Sequence, residues 1–412
     1  MHYLSQSALP VVTPKHLLSE ADRCVKCGLC LPECPTYGLL ASEADSPRGR
    51  ISLIQALARD ELDLNSHIEI HLNRCLGCLA CEAACPSGVR YGQLLDASRE
   101  IIAKHHHGKP LIRKMFNQLT DASRLNFWRR LYHAMDRIGF VALSEKLPIS
   151  RLRRLLSFAQ QLGPAPRIKP GLYPSSQPTG RLLQLFTGCV GSQVEQQLIQ
   201  TSMQLLSRLG YAVEIPESQS CCGAIHRHNG FTDEAERLCD TNRLQTSKSR
   251  AQKLITIASA CHLELTEQKA SHIPLMSITD FLLTLPKGEF PTLAPLKKTA
   301  LLHIPCSARH DRNLELLAKI PSLKLAELPE NNICCGAAGS YLLTQPELSQ
   351  RLGRAKINHL KSSQAELLIT SNTGCAMQFR QLIKESSLSI EVVHPIELIF
   401  RQWNDRSKQK IQ

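Results

Sequence analysis

Cysteine carries the chemistry this sequence offers. Cys24, Cys27, Cys30 and Cys34 follow the spacing C-x2-C-x2-C-x3-C, and Pro35 comes next. Cys75, Cys78, Cys81 and Cys85, followed by Pro86, repeat it. Three thiolates from one tight loop can hold three irons of a [4Fe-4S] cubane, and in this run the fourth cysteine serves the other cluster. The spacing predicts two such clusters, one on Cys24, Cys27, Cys30 and Cys85, the other on Cys75, Cys78, Cys81 and Cys34. Proline after the fourth cysteine favours extended backbone there, turning the chain away. Zinc sites also use C-x2-C pairs, but they do not call for a third cysteine at the same interval followed by C-P. Exchanged fourth ligands hold the two clusters close, and closely spaced clusters without an open coordination site relay single electrons.

A second cysteine pattern lies further on. Cys189, Cys221-Cys222-Gly223 and Cys261 are matched by Cys306, Cys334-Cys335-Gly336 and Cys375. Adjacent cysteines on a strand point apart, but a bend after them can aim both at one cofactor. Glycine supplies that bend and lets backbone N–H groups approach sulfur. Two readings stay open for these eight residues: ligands of a further iron–sulfur cluster, or a thiol group acting as a redox dithiol. Massed thiols without metal would be prone to oxidation. The four sulfurs of each half are expected to lie within common reach of one cofactor.

Other candidates read more plainly. Cys239 sits in a helix-like stretch and reads as a buried structural thiol. His105-His106-His107 is only a compositional hint of metal binding. His226, His228, His303 and His310 flank the cysteines, and packing or solvent exposure is the simpler reading for each. Arg48 and Arg50 could place positive charge beside a cluster and raise its potential; the plainer reading is a solvated helix start. There is no G-x-G-x-x-G after a strand and no phosphate-binding loop, so no catalytic residue is assigned and any flavin must sit on another chain.

The elements that position these residues fall into units. Residues 1–100 read as a helical two-cluster domain, with Ser46 capping a helix that begins at Pro47. Residues 101–178 read as a basic helical connector and a Pro/Gly/Ser-rich linker. Residues 179–294 and 295–412 read as two α/β repeats. RLLQLFTGC matches TALLHIPC, YAVEIPE matches LKLAELPE, and KLITIASAC matches ELLITSNTGC, with equivalent cysteines 117, 113, 113 and 114 residues apart. Alternating strands and helices imply parallel sheets. The cysteines follow the strands, where open α/β sheets bind ligands.

Charge narrows the partners. The net charge of +13 is uneven: residues 101–170 carry 14 Lys and Arg against three acids, whereas residues 1–100 carry nine against 12. The basic segment is the candidate docking surface, for an acidic flavoprotein or anionic lipid. Arg129-Arg130 and Arg153-Arg154 with Phe127, Trp128 and Tyr132 nearby also allow a nucleic-acid-binding iron–sulfur protein, but the helices are amphipathic and carry no nucleic-acid motif. No run approaches the length of a membrane span, and the N-terminus has no charged region followed by an apolar one. The expected location is the cytoplasm, peripheral on the cytoplasmic face of the inner membrane.

The C…CCG…C arrangement resembles the cysteine-rich domain of heterodisulfide reductase-type proteins, in which a fifth cysteine completes each motif in a final C-x2-C. Here Glu264 and Gln378 stand at those positions. CPTYGLL-x2-EADSPRGRISLI, HLNRCLGCLACEAACPSGVRYGQLLD and CCGAAGSYLLTQPEL resemble the iron–sulfur subunits of glycolate oxidase. The likeness spans about residues 20–400. It implies flavin-binding partner subunits that oxidise glycolate to glyoxylate, and D-lactate more weakly, with electrons carried to a quinone-linked respiratory acceptor at the membrane. Related subunits serve lactate or anaerobic glycerol-3-phosphate dehydrogenases. The fold implied is mixed: a ferredoxin domain, a basic connector and a duplicated α/β CCG domain.

Overall fold

A computed structural model describes residues 14–105, 110–139, 141, 159–162, 168–177, 179–308 and 310–403. The N-terminal unit is helical. Its helices Pro14–Ala21, Pro47–Ala58, Ser66–Asn73 and Tyr91–His105 enclose a core of Leu17, Ile51, Ile54, Leu72, Leu94 and Leu95. Each of these buried aliphatic side chains contributes roughly 1.5–3 kcal/mol through removal from water. Ser46 caps its helix as the sequence predicts: its hydroxyl accepts from Gly49 N at 2.9 Å, and Pro47 occupies the first turn. Cys34 is extended, and a short helix, Pro35–Leu40, starts at once.

The C-terminal unit is duplicated. Its first sheet contains β1 (Gly171–Tyr173), β2 (Arg181–Phe186), β3 (Tyr211–Ile215), β4 (Lys253–Thr256) and β5 (Leu275–Ser277), in the order β1-β3-β2-β4-β5. The second contains β6 (Thr299–Leu302), β7 (Lys324–Glu327), β8 (Leu367–Ile369) and β9 (Glu391–Val393), in the order β7-β6-β8-β9. Apart from β1, every pairing is parallel and the two orders coincide. One apolar core runs through both repeats: Leu183, Leu185, Leu198 and Leu205 meet Ala300, Leu302, Ile396 and Ile399. The halves therefore fold as one body with their strand ends facing each other, and Ser259 N donates to Ser371 O at 3.0 Å across the junction.

Two sequence expectations need correction. Part of the Pro/Gly-rich linker is strand β1, paired antiparallel to β3; Pro170 and Pro174 flank this edge strand and bound it at both ends. The basic helices Pro110–Thr120 and Ala122–Arg137 are only partly free for docking. Phe116 is fully buried against His226 and Phe231, Arg113 pairs with Glu234, and Arg129 is buried with Nη2 donating to Asn126 Oδ1 at 2.8 Å. Arg129 therefore supplies no docking charge, while Arg130 is exposed. Arg153, Arg154, His106 and His107 lie outside the described residues.

Candidate iron–sulfur sites

The loops of the two quartets curl in the same way. In the first, Lys26 and Gly28 flank Cys27 with φ of 58° and 87°; in the second, Gly77 and Leu79 flank Cys78 with φ of 66° and 57°. Left-handed residues on both sides of the middle cysteine wind three thiols to one side of the loop. Cys24, Cys27, Cys30 and Cys85 line one small cavity, and Cys34, Cys75, Cys78 and Cys81 line another; Cys81 also borders the first. The structure thus brings the fourth cysteine of each run to the other run's three. The first site is at the surface, with Cys27 exposed, while Cys34, Cys75 and Cys78 are buried. Polar atoms reach the inner sulfurs: Gly77 N lies 3.4 Å and Tyr91 Oη 3.5 Å from Cys75 Sγ, and Thr36 Oγ1 lies 3.3 Å from Cys34 Sγ.

The arginines between the runs are held by specific partners, and Arg50 is out of solvent. Arg48 donates to Lys26 O at 3.0 Å, inside the first loop, and pairs with Glu43. Arg50 is 1% exposed and donates to His71 O at 2.7 Å, Thr36 Oγ1 at 3.0 Å and Asp45 at 3.2 Å. Burial alone would weaken its hold on the proton; Cys75, Tyr91, Cys34 and Asp45 around it outweigh that and keep it firmly charged.

In the CCG halves the sulfurs line up in the same order. Cys189 and Cys221 are 3.3 Å apart, and Cys222 is hydrogen-bonded to Cys221 and Cys261. In the second half Cys334 is bonded to Cys306 and to Cys335, and Cys335 to Cys375. The following glycines bend as the sequence requires: Gly223 at φ +96° and Gly336 at φ +90°. Their N–H groups lie 3.5 Å from Cys221 Sγ and 3.4 Å from Cys334 Sγ. No alanine would fit at 336, where a Cβ would sit 2.5 Å from Ser349 O. Two equivalent rows of four thiols with backbone donors on sulfur fit a thiophilic metal centre.

Protonation reflects the crowding. The hydrogen bonds from Cys221 and Cys261 hold the Cys222 thiol far below its usual range, against burial. Cys221 is raised by its bonds to Cys189 and Cys222 and by burial. Burial, with Cys306 nearby, pushes Cys78 up to about 12. The fifth positions are engaged elsewhere: Glu264 is held by Arg227 at 2.6 Å, and Gln378 Nε2 donates to Ser349 O at 3.1 Å.

Sequence reasoning missed how the units meet. Arg99 donates to His228 O at 2.8 Å and to Cys75 O at 2.5 Å, bridging the N-terminal unit to the first repeat. Arg227, its side chain 11% exposed, joins Asp96 at 2.8 Å and Glu267 at 2.7 Å, and His228 lies 3.1 Å from Asp96. The helix Tyr91–His105 approaches so closely that a Cβ on Gly230 would meet Arg99 O at 2.2 Å. A cavity of about 290 Å³ lies between Cys75 and Cys78 on one side and Cys306, Cys334 and Cys375 on the other. A larger apolar one, about 680 Å³, has Cys189, Cys221, Cys222 and Cys261 in its wall, with Trp128, Leu131 and Met135 opposite.

The remaining candidates separate. Cys239 is a buried structural thiol, receiving Arg243 Nη2 at 3.3 Å. His226 packs on Phe116 and reaches Asn117 Oδ1 at 2.9 Å, while His310 is exposed. His303 is buried near Cys335 and Cys375, and burial pushes its pKa down to about 3.

Comparison with known proteins agrees with this geometry. A 4Fe-4S dicluster domain matches residues 20–89, and a cysteine-rich domain matches residues 183–266 and again 300–380. The chain is similar to the probable glycolate oxidase iron-sulfur subunit of Bacillus subtilis strain 168, at 30% identity over 92% of this chain and 93% of that one. It is 31% identical to the glycolate oxidase iron-sulfur subunit of Escherichia coli K12, over 86% of this chain and 90% of that one. A lactate utilization protein A 2 of Bacillus cereus is 23% identical over 53% of this chain and 98% of its own length. With a dicluster domain, a twice-matched cysteine-rich domain and relatives aligned nearly end to end, the chain is an iron–sulfur electron-transfer protein and belongs to the family of glycolate oxidase iron–sulfur subunits.

Proposed function

We propose that this chain takes electrons from a flavin-binding partner that oxidises glycolate to glyoxylate, and D-lactate more weakly, and delivers them to a quinone-linked acceptor. The observation that carries this is the succession of sulfur sites. Cys24, Cys27, Cys30 and Cys85 ligate the outer [4Fe-4S] cluster, at the surface where a donor can dock. Cys34, Cys75, Cys78 and Cys81 ligate the inner one. Cys306, Cys334, Cys335 and Cys375 follow across the smaller cavity, and Cys189, Cys221, Cys222 and Cys261 border the larger, apolar one. When bound, the clusters supply one-electron transfer between a flavin that collects two electrons and the acceptor. The chain's own residues hold the sulfurs, exclude water and set local charge.

The exit side supports a membrane-surface reading. The helices over the apolar cavity expose Phe127, Trp128, Leu131 and Ile138 beside Arg124, Arg130 and Arg137. Apolar and cationic side chains together suit an anionic lipid surface. Among the described residues no helix is long and apolar enough to cross a membrane, and we place the chain peripherally on the cytoplasmic face. The lactate-utilization relative favours a second reading, the same relay serving a lactate dehydrogenase.

Anaerobic co-purification of the tagged chain, with partners identified and iron, sulfide and flavin assayed, tests the proposal. A flavoprotein partner whose flavin is reduced by glycolate is expected. A chain that purifies alone, or with a flavoprotein reduced only by L-lactate or glycerol 3-phosphate, would refute the glycolate assignment.

A further inference from the structure

The two CCG halves share one plan and differ at a position beside the sulfurs. In the first half Gln219 latches the end of β2: Oε1 accepts from Thr187 N at 2.8 Å, and Nε2 donates to Leu185 O at 3.0 Å. In the second half Asn331 latches β6 in the same way, accepting from Ile304 N at 3.1 Å and donating to Leu302 O at 3.0 Å. Leu185 thus corresponds to Leu302 and Thr187 to Ile304. The residue between them is Phe186 in one half and His303 in the other. Sheet register agrees, since Leu185 pairs with Ile255 as Leu302 pairs with Ile369.

Phe186 joins the apolar cluster around Cys221 and Cys222. At the matching place His303 is 2% exposed, and one of its ring nitrogens lies with the sulfurs of Cys335 and Cys375 within 4.8 Å of one another. Its Nδ1 is hydrogen-bonded to Thr370 Oγ1 at 3.0 Å, and its ring stands edge-on to Phe379 with centroids 4.8 Å apart. Metal-bound histidines commonly use the second ring nitrogen in such a bond, which sets tautomer and orientation. Metal–nitrogen bonds of about 2.0–2.1 Å and metal–sulfur bonds of about 2.3 Å bring donors this close together after small side-chain rotations.

We propose that His303 is a ligand of the metal centre in the second half, making it a mixed nitrogen–sulfur site with Cys335 and Cys375, whereas the first half is all sulfur. This rests on the reading above that the second half binds metal. The ligand is a thiophilic transition metal that also accepts imidazole, either iron in a cluster or a single zinc ion. In a cluster, a neutral imidazole in place of a thiolate raises the potential and makes the second half the more easily reduced of the two.

The test uses the full chain isolated anaerobically, grown with ordinary or 15N-labelled histidine. Metal and sulfide are counted, and pulsed EPR and zinc-edge X-ray absorption are recorded. His303→Phe copies the first half and so suits the fold; His303→Cys keeps a ligand there. Expected are metal beyond the eight irons of two [4Fe-4S] clusters and histidine-nitrogen coordination in one of the two spectroscopies. That coordination should be lost in both variants, with metal content kept in His303→Cys and the two ferredoxin-type signals unchanged. Extra metal with no histidine nitrogen bound to it, or with nitrogen coordination that survives both substitutions, overturns the proposal and leaves metal binding by the second half standing. No metal beyond eight irons overturns that reading and the proposal with it.

Discussion

Arg50 offers a quantitative test of how the chain tunes its inner cluster. Thr36 Oγ1 is 3.0 Å from Arg50 Nη1 and 3.3 Å from Cys34 Sγ, so the guanidinium is within about 6 Å of that sulfur. Allowing about 8 Å to the cluster centre and an effective dielectric constant of about 20, one unit charge changes the energy of one added electron by roughly 2 kcal/mol. At about 59 mV per tenfold change for a one-electron couple, that is roughly 90 mV. Arg50→Gln should therefore lower the potential of the cluster on Cys34, Cys75, Cys78 and Cys81 by about 90 mV, and shift the outer cluster less. Arg50→Lys keeps the charge and should shift it by less than about 30 mV, while losing the three-point grip on His71, Thr36 and Asp45. Stability should fall by about 1–3 kcal/mol in Arg50→Gln, less than for a stranded buried charge, because Asp45 retains Arg74 at 3.3 Å. Redox titration followed by EPR reads both clusters separately. Intact clusters with an unchanged inner potential in Arg50→Gln would refute the electrostatic role.

Three further outcomes follow from the same structure. Gly223→Ala forces a left-handed alanine, at about 1–2 kcal/mol, whereas Gly336→Ala adds a clash with Ser349 O at 2.5 Å; thermal melts should show the second variant at least twice as destabilised, and equal losses would contradict the geometry. Burial, then the neighbouring Asp280, raises Asp311 to about 6, so its contribution to stability is full below the ordinary pKa near 3.8 and is lost as pH rises through 6; Asp311→Asn should gain about 2 kcal/mol at pH 7.5 and flatten the stability profile between pH 4 and 6, which denaturant titrations at several pH values would check. Arg130→Glu should weaken sedimentation with anionic vesicles at low salt without loss of fold, while Arg129→Glu, buried, should mainly lower the melting temperature; if Arg130→Glu leaves vesicle binding unchanged, the lipid-facing assignment of this helix fails.

What could be read from the sequence was whatever depends on short spacing or on duplication. C-x2-C-x2-C-x3-C-P states its ligand geometry within twelve residues, and the offset of 113 residues between CCG motifs states the repeat. Ser46 and Pro47 marked a helix start because capping is local. Long-range side-chain placement was not legible. Arg129 and Arg130 are adjacent in sequence, yet one is buried and one exposed, because the helix Ala122–Arg137 turns one face toward the cysteine-rich unit. Arg50 looked like a solvated helix residue until Asp45, Thr36 and the carbonyl of His71 closed round it. The mismatch of Phe186 and His303 was present in the aligned halves, but its meaning depends on Cys335 arriving from the loop after β7 and Cys375 from the helix Thr373–Glu385. Strand β1 was hidden by proline and glycine, which mark turns and edge strands alike.

The relay order itself is tested most directly by freeze-quench EPR of the complex with its flavoprotein partner after mixing with glycolate, comparing the unsubstituted chain with Cys75→Ser. In the proposed assignment the substitution removes a ligand of the inner cluster only. In Cys75→Ser the flavin and the outer cluster, on Cys24, Cys27, Cys30 and Cys85, should still be reduced, the inner [4Fe-4S] signal should be lost, and electron flow to the acceptor should stop. Turnover at the normal rate with the inner signal absent, or two intact cluster signals in that variant, would contradict a relay that runs through the outer and inner clusters in series.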